Sequence, residues 1–222
     1  MCGMSFSAKS TFAALLAPKL DAAVISLDAI NEERGFHGGQ GIPVEEWGRT
    51  SAIAHERARR ALSGGCSVLI DDTGSPRFLR DAWRETAETH GGAFALVWVC
   101  ISAELQHQRL LASRKTRDRH DVTDEVMAQH VAGFEEPLDE NPIVVEAVDA
   151  ASDARADEVA SLIRADETLS ESALFDEDQA RIALAMDPRR AQRRRPRLLD
   201  VGPALVAGRR YSAYAVASGN SG

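Results

Sequence analysis

Apolar and polar positions along the chain fall into blocks that alternate between helical and strand-like patterns. KSTFAALLAPKL (9–20) reads as a helix that Pro18 should end or kink. AAVISLD (22–28) is a short run of β-favouring residues and reads as a buried strand. NEERGFHGGQGIP (31–43) holds four glycines and a proline and reads as a loop. EEWGRTSAIAHERARRAL (45–62) sets Trp47, Ala54, Ala58, Ala61 and Leu62 near one helical face, and Gly64-Gly65 stops it. SVLIDDT (67–73) is a buried strand that ends in two acids. Ser75-Pro76 opens the next helix, with serine as the cap and proline in the first turn, and the helix runs to about His90. AFALVWVCI (93–101) is continuously apolar, as strands covered on both faces are. SAELQHQRLLASRK (102–115) and TDEVMAQHVAGFEEP (123–137) read as helices, the second with Asp124 and Glu125 in its first turn. IVVEAV (143–148) is the last strand, and a helix follows near 153–165.

This alternation predicts an α/β fold, a three-layer sandwich in which helices cover both faces of a parallel sheet. The pattern fades from about residue 168. The expected organisation is one domain over 1–167 and a poorly ordered, Arg-rich extension over 168–222. The net charge of −8 is uneven: residues 189–210 hold eight arginines and one acid, Asp200. The rest carries 18 basic and 33 acidic residues, which disfavours nucleic acid as the main partner, although the tail leaves it possible. No apolar run approaches the roughly 20 residues of a membrane span. The first residues lack the apolar core of a signal peptide. Cys2, Cys66 and Cys100 match neither a zinc site nor a redox motif, and the six histidines lack ligand spacing, so a cytoplasmic protein is expected.

Gly3-Met4-Ser5-Phe6-Ser7-Ala8-Lys9-Ser10-Thr11 follows G-x-x-x-x-G-K-[ST] with one change, Ala8 in place of the second glycine. Such a loop turns backbone N–H groups inward around phosphate oxygens, and the helix behind it adds its positive end. Gly3, Ser5, Ser7, Ala8, Lys9, Ser10 and Thr11 would hold ATP, with Lys9 on the β- and γ-phosphates and Ser10 on Mg²⁺. Phe6 also stands where the kinase version of the loop often has glycine, and the methyl of Ala8 should crowd the phosphates or strain the turn. Only Met1 and Cys2 precede Gly3, whereas such a loop normally follows a buried strand. The first strand is thus missing, and an upstream apolar strand of about five residues is expected.

Downstream features carry complementary chemistry. The strand ending in Asp71-Asp72 places a carboxylate beside Mg²⁺, Asp71 through water with Asp72 as the alternate. Asp28, at the carboxyl end of its strand, either takes a proton from an acceptor hydroxyl or caps the helix that follows. Arg109, Arg114, Lys115, Arg117 and Arg119 form a basic group in which Arg114 and Arg117 share a helix face. That group either closes over the triphosphate or is a solvated helix end. Arg77 is a candidate for holding substrate or for a surface salt bridge.

Taken together, GMSFSAKST, ISLDAINEERG, SVLIDDTGSPRFLRD and RLLASRKTRDRHDV resemble the AAA-type P-loop kinases of the polynucleotide kinase, zeta toxin and adenylate kinase-like group. The resemblance covers about residues 1–145. It implies a P-loop NTPase sheet with ATP and Mg²⁺ at its carboxyl edge, Lys9 and Ser10 on the nucleotide, Asp28 on the acceptor, and arginines on a lid over about 102–122. It leaves the acceptor unidentified, a small molecule or a nucleic-acid end. A nucleotide-binding module with little turnover and a nucleic-acid binder working through the arginine tail are the alternatives.

Overall fold

The computed structural model describes residues 1–37, 41–116 and 122–166, all within the compact unit Met1–Asp176. The elements in order are α1 (Lys9–Lys19), β1 (Ala22–Ser26), α2 (Leu27–Glu33), α3 (Val44–Ser63), β2 (Ser67–Asp71), α4 (Arg77–Thr89), β3 (Val97–Cys100), α5 (Ala103–Thr116), α6 (Asp124–Gly133) and β4 (Ile143–Glu146). A last helix, α7, spans 153–166. β1 pairs in parallel with β2, and β3 with β4. The first residues join these pairs. The Met1 ammonium donates to the Ile70 carbonyl (2.9 Å). Cys2 N–H donates to Val97 (2.8 Å), Val99 N–H donates to Cys2 (2.8 Å), and Gly3 N–H donates to Thr73 (3.0 Å). Residues 1–3 therefore lie between β2 and β3, where a central strand would run.

Two apolar layers flank the strands. On one side Phe12 and Leu16 of α1 pack with Leu69, Val97, Val99 and Val145 against Ala156, Val159 and Ile163 of α7. On the other, Ile25, Leu27 and Ile30 pack with Ala54 and Ala58 of α3 and Trp83 of α4. The three-layer parallel arrangement read from the sequence is therefore present. Pro18 lies next to the last residue of α1, where the helix is already ending. Gly65, at φ 76°, closes α3: its left-handed conformation lets Cys66 N–H reach the Ala61 carbonyl (2.9 Å).

Two expectations need correction. The segment read as loop from residue 31 is helical up to Glu33, because Ser26 caps α2 by accepting from Ala29 N–H (3.3 Å). Within α2, Ile30 and Asn31 are buried, and Thr50 donates to Asn31 Oδ1 (2.5 Å). The second correction concerns α4, which Ser75 does not cap. The Ser75 hydroxyl instead donates to the Gly133 carbonyl (3.3 Å) and accepts from Glu135 N–H (2.9 Å). The Glu135 carboxylate accepts from Arg77 N–H (2.6 Å) and so serves the helix start from a distant part of the chain.

The α3–α4 seam carries a titratable group. The His55 ring stacks on Trp83 with centroids 3.6 Å apart and planes at 14°. Thr86 gives its hydroxyl proton to Ala82 (2.9 Å), so its oxygen accepts from His55 Nδ1–H (2.9 Å). Burial, then the Arg59 charge, pulls the His55 pKa below the ordinary 6.5. The unfolded chain takes up this proton first, so the contribution is present above the unfolded pKa and is lost as pH falls through the folded one. Stability should therefore fall through this residue as the pH is lowered from about 8 to about 5. His55→Phe, which keeps a ring on Trp83, should lose that component in urea titrations at the two pH values.

Candidate functional site

The turn from residue 1 to α1 is made by unusual backbone. Gly3 has φ +149°, and a Cβ there would stand 2.4 Å from the Val99 carbonyl oxygen, so the loop can pass the sheet only as glycine. Ser7 is fully buried beneath it. Phe6 (φ 67°) and Ala8 (φ 72°) both lie in the left-handed region, which is sparsely used by residues with a Cβ. These are the two positions where the sequence departs from the glycine-rich pattern, so the fold keeps the loop path and accepts local strain. Such strain clusters at ligand-binding loops. Ala8 also touches the Phe12 cluster. Ala8→Gly should stabilise the chain by about 0.5–1 kcal/mol, the left-handed penalty outweighing the flexibility that glycine adds to the unfolded state. A lower urea midpoint in this variant would count against a strained loop.

Behind the loop, α1 begins at Lys9 and points its N-terminal amides at a cleft of about 610 Å³. Its lining includes Ser5, Phe6, Ala8, Lys9, Ser10 and Thr11. Lys9 Nζ donates to the Met4 carbonyl (3.1 Å). Burial lowers the Lys9 pKa, opposed by the charges of Asp71, Asp72 and Asp28. Those three acids line the same cleft. Asp71 ends β2 in register with Ser26, which sets the start of α2, and with it Asp28, on the neighbouring strand end. Because Ser26 does the capping, Asp28 is not the N-cap of that helix. Asp72 accepts from Thr73 N–H (2.7 Å). Burial raises the Asp72 pKa despite the amides of Thr73 and Gly74 and the Lys9 charge.

The cleft thus gathers Ser5, Ala8, Lys9, Ser10, Thr11, Asp28 and Asp71 from the sequence-derived set, while Gly3 and Ser7 support the loop from beneath. Arg114 is elsewhere: it donates to the Val122 carbonyl (2.7 Å) and to Asp124 (2.8 Å) and lines an adjacent hollow. Arg117 lies outside the described residues. Arg109 is the arginine of α5 that lines the cleft, donating to the carbonyls of Phe6 (2.9 Å) and Ala147 (2.8 Å). Its polar neighbours on that face, Ser113 and Thr116, were overlooked in the sequence, although the spacing 109, 113, 116 is that of one helix face. Trp47 was read as part of the apolar face of α3 but also lines the cleft. Arg77 pairs with Asp81 (3.6 Å) on the surface of α4.

Among the described residues no group of three or more His, Cys, Asp or Glu is arranged to hold a metal ion. Mg²⁺ rarely uses such a cage. It is held by one or two carboxylates with substrate phosphates and water, which Asp71, Asp72 and Ser10 beside a phosphate loop can accommodate. Cys2, Cys66 and Cys100 are free thiols, and among the described residues no helix is long and apolar enough to cross a membrane.

A family model described as an AAA domain matches residues 1–137. Among curated proteins no sequence match is found. Among solved structures the chain is similar to a gluconokinase from Sinorhizobium meliloti, at 21% identity and TM-score 0.54, over 77% of this chain and 94% of that one. It is also similar to an APS kinase from Mycobacterium tuberculosis, solved with AMPPNP and APS, at 21% identity and TM-score 0.55, over 73% and 94% of the two chains. A sugar kinase from a Janibacter species matches at 22% identity and TM-score 0.50, over 72% of this chain and 88% of that one. At such identities the likeness is one of fold. With the altered phosphate loop, β1 to β3 and the acids Asp28 and Asp71 all in the matched region, the chain belongs to the AAA domain family and has the α/β fold of P-loop kinases.

Proposed function

We propose that this chain is an ATP-dependent phosphotransferase that moves the γ-phosphate of ATP to a hydroxyl group. The observation that carries the proposal is the meeting of Lys9, Ser10, Asp28 and Asp71 in one cleft in front of α1. In this reading the loop amides and Lys9 hold the β- and γ-phosphates, and Ser10 with Asp71 orients Mg²⁺. The bound metal ion would neutralise charge on the transferring phosphoryl group. Asp28 accepts the proton of the attacking hydroxyl. Arg109 braces the loop through the Phe6 carbonyl. Kinase activity in proteins of similar fold, one solved with both a nucleotide analogue and an acceptor, is consistent with this reading.

Calorimetric titration with MgATP tests the proposal. Lys9→Ala should weaken binding by roughly 10- to 100-fold, the loss of a charge-assisted contact to phosphate. Equal affinity in wild type and variant, or none in the wild type, would remove the basis of the proposal. Binding without ADP release for any acceptor would instead favour a nucleotide-binding module, whose turnover the strain at Phe6 and Ala8 suppresses.

A further inference from the structure

Two successive carbonyls of the phosphate loop are held by side chains of α5. Gln106 Nε2 donates to the Ser5 carbonyl (2.9 Å), and Arg109 Nη1 donates to the Phe6 carbonyl (2.9 Å). The two side chains are three residues apart and share one face of the helix. We propose that Gln106 is a positioning residue for phosphate binding, one that fixes the loop amides in the direction a phosphate chain needs. This rests on the phosphate-binding part of the reading above. Gln106 is 8% exposed and lines the hollow between α5 and α6, not the cleft, so it acts through the loop and not on the nucleotide. A buried amide takes a hydrogen-bond partner, and this one takes it from a loop 101 residues away.

The geometry of the peptide unit explains why these carbonyls matter. In a trans peptide the carbonyl of one residue and the N–H of the next point to opposite sides of one plane. Holding the Ser5 carbonyl therefore fixes the direction of Phe6 N–H, and holding the Phe6 carbonyl fixes that of Ser7 N–H. Ser7 N–H donates to the Met4 carbonyl (3.2 Å), which also accepts from Lys9 Nζ (3.1 Å). Arg109 is itself anchored, its second nitrogen donating to the Ala147 carbonyl (2.8 Å) just after β4. The peptides on both sides of Phe6 are thus tied to α5. Phe6 has φ 67°, a left-handed conformation that a residue with a Cβ keeps only where its surroundings over-determine it. Gln106 supplies part of that determination. A glycine at this position would adopt the same backbone with much less help.

The test is calorimetric titration of the full chain with AMPPNP and with inorganic tripolyphosphate, each with Mg²⁺. Gln106→Met keeps the length and packing of the side chain and removes the donor. Both ligands should bind roughly 3- to 10-fold more weakly and by the same factor, because the phosphate chain is what they share. The readout specific to positioning is a double-mutant cycle. In a Phe6→Gly background Gln106→Met should cost less than about twofold, since glycine takes the left-handed backbone without the brace. A general loosening of the fold gives the same loss in both backgrounds. If Gln106→Met does not fold, Gln106→Asn, which keeps the amide but draws it back by one methylene, is read in the same way. Unchanged affinity in a folded variant, a loss for AMPPNP alone, or an equal loss in both backgrounds overturns the inference while leaving the phosphotransfer reading in place. A wild type that binds neither ligand overturns both.

Discussion

Glu140→Ala should cost the fold about 3–5 kcal/mol, a large part of the roughly 5–15 kcal/mol by which a domain is stable. Arg80 and Glu140 have side chains only 2% and 3% exposed. Arg80 Nε donates to both carboxylate oxygens of Glu140 (3.0 and 3.1 Å), and Nη1 donates to the carbonyls of Gly74 (2.5 Å) and Glu135 (3.0 Å). Removing the carboxylate leaves a buried guanidinium without its counter-charge, and an arginine cannot escape by losing its proton. The hydrogen bond from Arg80 holds the Glu140 carboxyl below the ordinary 4.5. For a carboxyl shifted in this direction, the contribution is full above the unfolded pKa and is lost as pH falls through the folded one. Urea unfolding should therefore show a lower midpoint for Glu140→Ala and a weaker acid dependence than wild type. A loss under about 1 kcal/mol would mean the pair behaves like a surface ion pair. The consequence extends to the site, because Gly74 follows the cleft residues Asp72 and Thr73, and Arg80 fastens that turn to the chain entering β4.

Neither Arg80 nor Glu140 announces itself in the sequence, where each is one charge among many. Partnerships across 60 residues are set by topology, not by local pattern. The same holds for Glu135 serving the start of α4, and for Asn31, Thr50 and Arg34, whose hydrogen bonds draw polar residues between α2 and α3. What was legible was local. The Gly64-Gly65 stop, the apolar run of β2 and the helical periodicity of α3 placed these elements to within a residue or two. The run 93–101 was read as longer than the observed β3, because apolarity extends over the whole run. The ladder covers only the register from Val97 with Ile143 to Cys100 with Glu146.

The site divides in the same way. Lys9, Ser10 and Asp71 follow from short motifs whose spacing is set by one loop and one strand end. On α5, however, Arg109 and Arg114 are equally basic, and their sequence does not say which faces the phosphate loop. The packing of that helix decides: Arg109 meets the Phe6 carbonyl, while Arg114 turns to Asp124 of α6. Phe6 and Ala8 invited doubt about the loop. The backbone they adopt is nonetheless the left-handed one that glycine would favour, which the letters could not reveal.

Asp28→Asn should lower phosphate transfer by roughly 10²- to 10⁴-fold, the usual range for removing a general base, with MgATP affinity nearly unchanged. The substitution conserves size and most hydrogen-bonding capacity but cannot take up a proton. Since Ser26 caps α2, the change spares the helix start, so stability should hold and the loss would reflect chemistry. A structural role predicts a different pattern, with lower stability and a raised KM but little change in kcat. The pH profile separates the two more sharply. In wild type the rate should rise as the base loses its proton, and that limb should vanish in the variant. Asp71→Asn gives the contrast: if Asp71 acts on the metal ion as proposed, transfer should fall there too, but extra Mg²⁺ should restore part of it. If Asp28→Asn transfers phosphate at the wild-type rate, the acceptor proton leaves by another route and Asp28 only shapes the cleft.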